Sequence, residues 1–405
     1  MTGTNGKSST TQFIGQMLET LGCRVGWTTT ASFKISDREW VNDKKMTMLG
    51  RFDTQRLLHR MAEAGCTHVI VETSSQGIEQ FRHVGINYDV VVFTNLTPEH
   101  IEAHGGFEAY KQAKGKLFAH TARSPRKTIM GRRYEKTAVI NADDTHATYF
   151  ASFGLDRLVT FDLEGGSAKL FPPPSLGLSA HDLGLTVHGS SFTVEGARID
   201  VSVLGRFNVY NALAAVACVR SLGFSTTDAV RAAQSIRPVP GRLESIDEGQ
   251  PFGVMVDYSY EPVALAAAYE AVRLLHPKRL IHIVGSAGGG RDMARRFELG
   301  KLSAQMDDVT IVTNEDPYDE DPQVIIDQVA EGVVKSGKVE GVSLYRILDR
   351  QEAINKAVSL AQPGDLVFIT GKGSEPVMAV ANGKKIPWDD RVAARRALAA
   401  LSYAH

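Results

Sequence analysis

The sequence MTGTNGKSS, residues 1–9, decides the predicted fold of this chain. Gly3 and Gly6 permit a tight turn that can wrap around an anion. Lys7 can reach a β- or γ-phosphate, and the hydroxyl of Ser8 is of the type that binds a phosphate-bound Mg²⁺. The spacing G-x-x-G-K-S is shorter than the usual G-x-x-x-x-G-K-[ST]. We interpret residues 3–8 as a phosphate-binding loop. The helix predicted at residues 10–21 supports this interpretation, because its N-terminus would face the phosphates.

Only Met1 and Thr2 precede Gly3, although a phosphate loop normally follows a buried strand. Two explanations are open: the natural chain starts upstream of residue 1, or the sheet is built in an unusual way. We favour the upstream start, because a sheet is strongly destabilised by the loss of its central strand.

Composition restricts the class of protein. A chain of 405 residues predicts two or three domains, and 43% apolar residues, 22% charged residues and a net charge of -1 fit a soluble globular protein. We expect neither nucleic acid nor membrane as a partner, because the charge is balanced and no apolar run approaches the roughly 18 residues of a membrane span. Scattered Cys23, Cys66 and Cys218 predict free thiols, and without a recognisable signal peptide we expect a cytoplasmic protein.

The first half of the chain alternates short apolar runs with helical patterns, which predicts a parallel sheet wound with helices. Residues 157–205 change to short alternating strands typical of antiparallel hairpins. The predicted strands before that change are residues 24–28, 67–71, 90–94 and 138–140, with helices near 55–65, 106–121 and 144–152.

The second half repeats the α/β alternation after a segment rich in proline and glycine, residues 236–241. Its predicted strands lie near residues 253–256, 279–284, 308–312, 343–347 and 366–370, with helices near 261–274, 293–305, 322–336, 350–361 and 389–402. We therefore predict an α/β protein with two domains. They are a P-loop central ATPase domain with a parallel sheet, helices and a small antiparallel sheet (residues 1–238), and a Rossmann-like C-terminal α/β domain (239–405).

Polar residues follow several predicted strands, at the edge where parallel sheets collect ligands. Glu72 follows residues 67–71 and His100 lies shortly after 90–94, so both could hold a divalent metal beside Ser8. Taken alone, Glu72 is as well explained as a solvated acid, and His100 is better explained as a surface histidine. Polar clusters at the strand ends of the second half predict a further ligand site there.

Taken together, these segments resemble the Mur ligase family from residue 3 to about residue 400. Within the family the pattern is most similar to the tripeptide synthetases, which add a diamino acid to UDP-N-acetylmuramoyl-L-alanyl-D-glutamate in peptidoglycan precursor synthesis. The resemblance is carried by residues 3–8, Glu72 with Ser74 and Ser75, residues 95–97 with His100, His104 and Gly105, Ala113 and Lys114 with Leu117 and Phe118, residues 141–144, Gly205 with Phe207, Asn208 and Asn211, residues 241–244, Asp257 and Tyr258, residues 371–373 with Glu375, and Asp390 with Arg391.

The resemblance implies an acyl-phosphate mechanism. The D-glutamate carboxylate attacks the γ-phosphate of ATP, and the incoming amine then displaces phosphate. Catalytic roles carry over to Lys7, Glu72, His100 and Lys114, and two Mg²⁺ sites to Ser8, Glu72, His100 and Lys114, with a CO₂-derived carbamate on Lys114. Periodicity alone would instead place Lys114 on a solvated basic face.

The resemblance also implies which residues hold the three substrates. ATP is expected to contact Gly3, Thr4, Asn5, Gly6, Lys7, Ser8, Asn208, Asn211, Arg242 and Asp257. The acceptor is expected to contact Thr47, Ser74, Gln80 and Arg82. The amino acid is expected to contact Arg291, Asp316, Tyr318, Gly371 and Glu375.

Two departures from the family pattern matter. The family's first domain, which binds the uridine nucleotide, has no counterpart in these residues, so we expect a weakly held acceptor, a truncated one, or a need for upstream sequence. Enzymes of the family that take meso-diaminopimelate carry Asp-Asn-Pro-Arg, where residues 315–318 here are Glu-Asp-Pro-Tyr. Without that arginine a distal carboxylate would meet Glu315, Asp316 and Glu375. We therefore predict L-lysine or ornithine, with Asp316 and Glu375 on the distal ammonium and Arg291 on the α-carboxylate.

Two other functions remain open at this stage. One is a ligase of the same family with a non-nucleotide acceptor, as in folylpolyglutamate and cyanophycin synthetases. The other is a nucleotide-binding protein without turnover. For the tripeptide synthetase interpretation we expect small-molecule partners, namely ATP, the UDP-linked dipeptide and the diamino acid, and a monomer.

Overall fold

The computed structural model describes residues 1–98, 104–171, 176–290 and 293–402. The chain divides into two compact units, Met1–Arg237 and Pro238–His405. Within the described ranges, no helix has the length and apolar character needed to cross a bilayer. The predicted α/β fold class is confirmed.

Thirteen helices and twenty strands lie in the described ranges, and the strands of the first unit form two main sheets and one two-stranded sheet, β6 with β7. Its helices are α1 (Lys7–Thr20), α2 (Arg51–Glu63), α3 (Ser75–Glu79), α4 (Phe107–Arg123), α5 (Ala147–Ala151), α6 (Gly166–Leu170), α7 (Arg206–Ser221) and α8 (Thr226–Ala233). Its strands are β1 (Val25–Thr28), β2 (Ser32–Ile35), β3 (Arg38–Val41), β4 (His68–Val71), β5 (Val90–Phe93), β6 (Thr128–Ile129), β7 (Arg132–Arg133), β8 (Thr137–Asn141), β9 (Arg157–Asp162), β10 (Leu176–Thr186), β11 (Gly189–Val194) and β12 (Ala197–Val201).

The two main sheets of this unit have the strand orders β3-β2-β1-β4 and β12-β11-β10-β9-β8-β5. Residues 157–205 differ from the prediction. β9 pairs in parallel with β8, and β10 pairs in parallel with β9. Antiparallel pairing begins only between β10 and β11. The antiparallel strands therefore extend the parallel sheet and do not form a sheet of their own, because alternation of apolar residues does not specify strand direction.

Met1 and Thr2 lie between β4 and β5, the edge strands of the two sheets. The Met1 ammonium donates to the carbonyl of Val71 (3.0 Å), and Thr2 forms a parallel bridge with Phe93. The two residues thus pair with both neighbours as the last residues of a central strand would. A cavity of about 430 Å³ lies next to Met1 and is lined by residues of β4 and β5 and by apolar side chains of α1.

The second unit has one main sheet, of order β13-β14-β18-β15-β16-β17, in which all pairs except β13 with β14 are parallel. Its core consists of apolar residues of the central strands and of the helices packed on them. Its helices are α9 (Pro262–Arg273), α10 (Ala294–Met306), α11 (Pro322–Lys335), α12 (Arg350–Leu360) and α13 (Asp390–Ser402). Its strands are β13 (Glu244–Ser245), β14 (Gly253–Val256), β15 (Leu280–Val284), β16 (Val309–Thr313), β17 (Leu344–Ile347), β18 (Leu366–Ile369), β19 (Val377–Val380) and β20 (Lys384–Pro387).

The buried ammonium of Met1 makes stability depend on pH. Burial is the main cause that lowers its pKa from 8.0 to about 6. Between these values the unfolded chain binds the proton and the folded chain does not, so stability rises with pH. The shift of roughly two pKa units, at about 1.4 kcal/mol each, corresponds to about 3 kcal/mol.

Acetylation of the Met1 amine should remove this contribution, because the acetyl amide keeps the N–H that donates to Val71 and carries no charge. The measurement is the free energy of unfolding in urea from pH 5.5 to 8.5 for both forms. Histidine titration is common to both forms and cancels in the difference. Parallel pH curves for the two forms would contradict the prediction.

Candidate functional site

The loop at residues 3–6 adopts a conformation that requires its two glycines. Gly6 has φ 81° and Gly3 has φ 150°, both in the region that favours glycine. A Cβ atom on Gly3 would lie 1.9 Å from the hydroxyl oxygen of Thr94, and one on Gly6 would lie 2.1 Å from Oδ1 of Asn211. The loop is therefore packed against two other segments, and α1 begins directly after it.

The end of β5 holds this loop through backbone and side-chain hydrogen bonds. The amide of Asn5 donates to Oδ1 of Asn95 (2.8 Å), and the hydroxyl of Thr94 donates to the carbonyl of Asn5 (2.7 Å). The amide of Thr4 donates to the carbonyl of Asn95 (2.8 Å). The segment 94–95 thus positions the predicted phosphate-binding residues.

Ser8 and Glu72 lie side by side at the carboxyl ends of the strands of the first unit, as the sequence predicted. The Ser8 hydroxyl donates to Oε2 of Glu72 (2.7 Å), and both residues are buried. The amide of Thr30 donates to the same oxygen (2.8 Å), and its hydroxyl donates to Oε1 (3.1 Å). Thr47, a predicted acceptor-binding residue, shares a hydrogen bond of 2.9 Å with the Thr30 hydroxyl.

The two predicted catalytic lysines contact the same loop. Nζ of Lys7 donates to the carbonyl of Thr4 (2.6 Å). Nζ of Lys114 donates to the carbonyl of Gly3 (2.8 Å) and lies 4.3 Å from the centre of the Tyr110 ring. Lys114 is 1% exposed, so the basic-face interpretation from periodicity is wrong for this residue.

Asn208 and Asn211 lie on α7, which packs against α1, and both side chains are buried. Oδ1 of Asn211 accepts from the hydroxyl of Thr10 (3.3 Å), and its Nδ2 donates to Asn208 (3.1 Å). Asn211 therefore lies beside both Gly6 and the first turn of α1. These contacts place Asn211, a predicted ATP-binding residue, against the loop.

The predicted acceptor-binding residues lie on and around the short helix α3. The Ser74 hydroxyl caps this helix by accepting from the amide of Gly77 (3.2 Å). Arg82 donates to the carbonyl of Met48, which fixes the segment that carries Thr47. Gln80 is exposed after the helix.

Two predicted site residues, His100 and Arg291, lie outside the described residues. Within the described part of the chain, no group of three or more His, Cys, Asp or Glu side chains has the arrangement of a metal site. Ser8 and Glu72 are thus the members of the predicted metal set whose oxygen atoms meet in the structure.

In the second unit, Asp257 and Arg242 lie on adjacent segments at the carboxyl edge of the sheet. Oδ2 of Asp257 accepts from the amide of Leu243 (2.8 Å). The Arg242 guanidinium lies 4.3 Å from the centre of the Tyr258 ring. The Tyr258 hydroxyl in turn donates to Oε1 of Glu375 (2.9 Å), which connects the predicted nucleotide contacts to the predicted amino-acid contacts of this unit.

Lys372 links the two carboxylates predicted to bind the amino acid. Its Nζ is 3.0 Å from both carboxylate oxygens of Asp316 and 2.5 Å from Oε2 of Glu375. Burial alone would lower the pKa of Lys372, but the charges of Glu375 and Asp316 outweigh it and raise that pKa. Sequence reasoning missed this lysine as a site residue, although it lies inside the predicted motif 371–375.

Two further buried side chains near Lys372 have polar atoms that face no partner in the described ranges. Oε2 of Glu315 accepts no hydrogen bond, and Nε and Nη2 of Arg295 donate none. Burial, followed by the charge of Asp316, raises the pKa of Glu315. A Cβ atom on Gly371, whose φ is 106°, would lie 2.6 Å from Oε2 of Glu315. The predicted Gly371 is therefore needed for this close approach.

Tyr318 occupies the position of the arginine in the diaminopimelate pattern. It is partly buried, has φ 52°, and its amide donates to the carbonyl of Ala379 (3.2 Å). Its ring lies close to Gly289, where a Cβ atom would approach it to 2.8 Å. The phenol brings no positive charge to this pocket.

Comparison with known proteins shows which family this chain resembles. Residues 1–219 match the family model described as the Mur ligase middle domain, and residues 241–373 match the model described as the Mur ligase, glutamate ligase domain. A UDP-N-acetylmuramoyl-L-alanyl-D-glutamate--2,6-diaminopimelate ligase from Geobacillus kaustophilus is 36% identical over 98% of this chain and 78% of its own length. A UDP-N-acetylmuramyl-tripeptide synthetase from a Roseiflexus species is 36% identical over 100% and 78%. A solved structure of a ligase with the first of these names aligns with a TM-score of 0.62 and 28% identity, covering 99% of this chain and 77% of that one.

Substitution of Gly6 by Ala should weaken ATP binding at least tenfold, because the new Cβ atom overlaps Asn211 and displaces the loop. Gly22→Ala is the matched control. Gly22 has nearly the same φ, 82°, at the other end of α1, but nothing lies within 4 Å of its Cβ position. Both variants should lose about 1–2 kcal/mol of stability from the left-handed backbone. Titration with a fluorescent ATP analogue gives the affinities, and equal affinities for the two variants would contradict the prediction.

Proposed function

Because this chain belongs to the Mur ligase family, whose members are ATP-dependent, ADP-forming ligases, we propose that it adds a diamino acid to UDP-N-acetylmuramoyl-L-alanyl-D-glutamate. A carboxylate oxygen of the D-glutamate attacks the γ-phosphorus of ATP, and ADP leaves. The amine of the diamino acid then attacks the carbonyl carbon of the acyl phosphate. Inorganic phosphate leaves, the nitrogen loses a proton, and an amide bond has formed.

The first step needs neutralisation of phosphate charge more than it needs a strong base. The loop at residues 3–8 offers backbone N–H groups and leads into the N-terminus of α1. Lys7 adds a positive charge, and in the structure its ammonium donates to the carbonyl of Thr4. The buried contact between the Ser8 hydroxyl and the Glu72 carboxylate provides the oxygen donors that Mg²⁺ prefers. Bound there, the ion would neutralise charge on the β- and γ-phosphates.

For Lys114 we propose the carbamate that the family resemblance implies. Its burial and its contact with the carbonyl of Gly3 support a role next to the phosphate loop. Thr47, which reaches Glu72 through Thr30, supports the proposed acceptor site on the same side of the loop. The contribution of His100 to a second metal site, and that of Arg291 to the amino acid, remain predictions from the sequence.

The amino-acid proposal is supported by two buried side chains of the second unit that have polar atoms without hydrogen-bond partners among the described residues. Among the described residues, no group donates to the buried Oε2 of Glu315, and none accepts from Nε and Nη2 of Arg295, whose Nη1 pairs with Glu261. Unpaired buried groups of this kind are costly unless a ligand completes them. An α-amino acid has complementary groups, because its ammonium can donate to Glu315 and its carboxylate can accept from Arg295.

The charge balance of the pocket favours a substrate with a distal ammonium. Glu315, Asp316 and Glu375 are three carboxylates, and Lys372 is the cation that contacts two of them. Without an arginine at position 318, a distal carboxylate would have to approach this negative cluster, whereas the side-chain ammonium of L-lysine or ornithine is attracted to it. The relative from Geobacillus kaustophilus is named a 2,6-diaminopimelate ligase, so that amino acid is the competitor to test.

The test measures phosphate release with ATP, Mg²⁺ and the UDP-linked dipeptide acceptor, in parallel with L-lysine, L-ornithine and meso-diaminopimelate, and checks product masses. We expect release that needs both the acceptor and one of the two cationic amino acids. Preference for meso-diaminopimelate would overturn the pocket proposal while leaving the ligase proposal intact. Release with a non-nucleotide acceptor in place of the UDP-linked one would move the assignment towards ligases of the folylpolyglutamate type.

Substitution of Tyr318 by Arg should change the preference among these amino acids. The new guanidinium can pair with a distal carboxylate, so kcat/KM for meso-diaminopimelate relative to lysine should rise at least tenfold. Tyr345→Arg on β17 is the matched control, because it makes the same substitution in the same unit outside the pocket. A ratio that stays unchanged in Tyr318→Arg would show that position 318 does not select the substrate.

A further inference from the structure

Arg350, the first residue of α12, is 2% exposed and forms four hydrogen bonds in the second unit. Nε and Nη2 donate to the two carboxylate oxygens of Asp390, each at 2.8 Å. Nη1 donates to the carbonyl of Asn314 (3.1 Å), and Nη2 also donates to the carbonyl of Thr370 (2.7 Å). Asp390 is itself held by the indole N–H of Trp388 (2.8 Å).

The two carbonyls that Arg350 binds belong to strands that are not neighbours. Asn314 follows β16 and Thr370 follows β18, and β15 lies between these strands in the sheet. The guanidinium therefore spans the carboxyl ends of three strands, close to Gly285 at the end of β15. Its planar fork with several N–H donors suits this task, because one rigid group can fix the distance between two chain segments.

The residues directly after those carbonyls belong to the proposed amino-acid site. Glu315 and Asp316 follow Asn314, and Lys372 lies two residues beyond Thr370. The contacts between Asp316 and Lys372, and between Glu315 and Gly371, cross from one strand end to the other. Their geometry depends on the separation that Arg350 sets.

We propose that Arg350, held by Asp390, is a positioning residue that fixes the ends of β16 and β18 so that Glu315, Asp316 and Lys372 keep the geometry needed to bind the incoming amino acid. The proposal rests on the proposed function of this pocket. It assigns to Arg350 no contact with substrate, ATP or metal. Its effect should therefore appear in the amino-acid KM and leave the ATP KM unchanged.

Arg350→Lys tests the proposal without leaving Asp390 as an unpaired buried charge. The lysine ammonium can keep the ion pair, but it is a point charge that cannot bridge both carbonyls as the guanidinium does. Arg279→Lys is the matched control. Arg279 forms an ion pair with Asp365 (2.6 Å), which lies just before the first residue of β18. It also donates to the carbonyl of Leu360 (2.9 Å), the last residue of α12.

In Arg350→Lys we expect the KM of the preferred amino acid to rise at least tenfold, with the KM of ATP within twofold of the unsubstituted protein. In Arg279→Lys both constants should stay within twofold. A rise of both constants in Arg350→Lys, or a fall in kcat alone, would overturn the positioning role. So would an unchanged amino-acid KM.

A second measurement stands apart from turnover, so that it remains informative if the proposed substrate is wrong. Amide hydrogen exchange should be faster in Arg350→Lys within residues 314–318 and 371–379, and unchanged in these segments in Arg279→Lys. Uniform loss of protection across the second unit would show a general loss of stability and contradict the proposal. If the protein shows no amino-acid-dependent phosphate release, the proposed function fails, and local exchange alone then decides whether Arg350 fixes the strand ends.

Discussion

The first unit depends on four backbone hydrogen bonds that insert Met1 and Thr2 between its two sheets. Met1 bonds to the strand end of β4 through Val71 and Thr73, and Thr2 bonds to β5 through Val92 and Thr94. These bonds join the carboxyl ends of β4 and β5 through one segment and fix the point at which the turn at residues 3–6 begins. The position of this short segment sets the position of the predicted phosphate loop that follows it. The Ser8–Glu72 contact and the contact of Lys114 with Gly3 depend on that position.

The sequence predicted the strands with polar ends better than the elements between them. Predicted residues 67–71 and 90–94 correspond to β4 and β5, because short runs of β-branched residues are a strong signal for strands. The hairpin of β2 and β3 was not predicted, since its turn has Ser36 with φ 51° in place of the Asn-Gly or Asp-Gly pair that usually marks such turns. Helix α3 was missed because five residues are too few to show a helical period.

The predicted site residues are those whose chemistry is evident from residue type and position after a strand. Ser8 and Glu72 were predicted in this way, whereas Lys114 was predicted only through the family resemblance. Lys372, Arg295 and Arg350 were not assigned roles, because their importance lies in which atoms they leave unpaired or bridge. A buried lysine between two carboxylates, or an arginine across two strand ends, is invisible in a sequence until the fold brings distant residues together.

The two units solve opposite electrostatic problems. Under the proposed function the first must attract a polyanion, a task suited to its backbone N–H groups, the helix N-terminus and the lysines, while Glu72 accepts from hydroxyl and amide donors. The second gathers Glu315, Asp316 and Glu375, which would repel phosphate and attract an amino group. Lys372 makes such a cluster possible, because its ammonium pairs with two of the three carboxylates, Asp316 and Glu375. Burial and the charge of Asp316 raise the pKa of the third, Glu315, and its Oε2 accepts no hydrogen bond from the residues that the structure describes. Under the proposed function, the ammonium of the amino acid would donate to this oxygen.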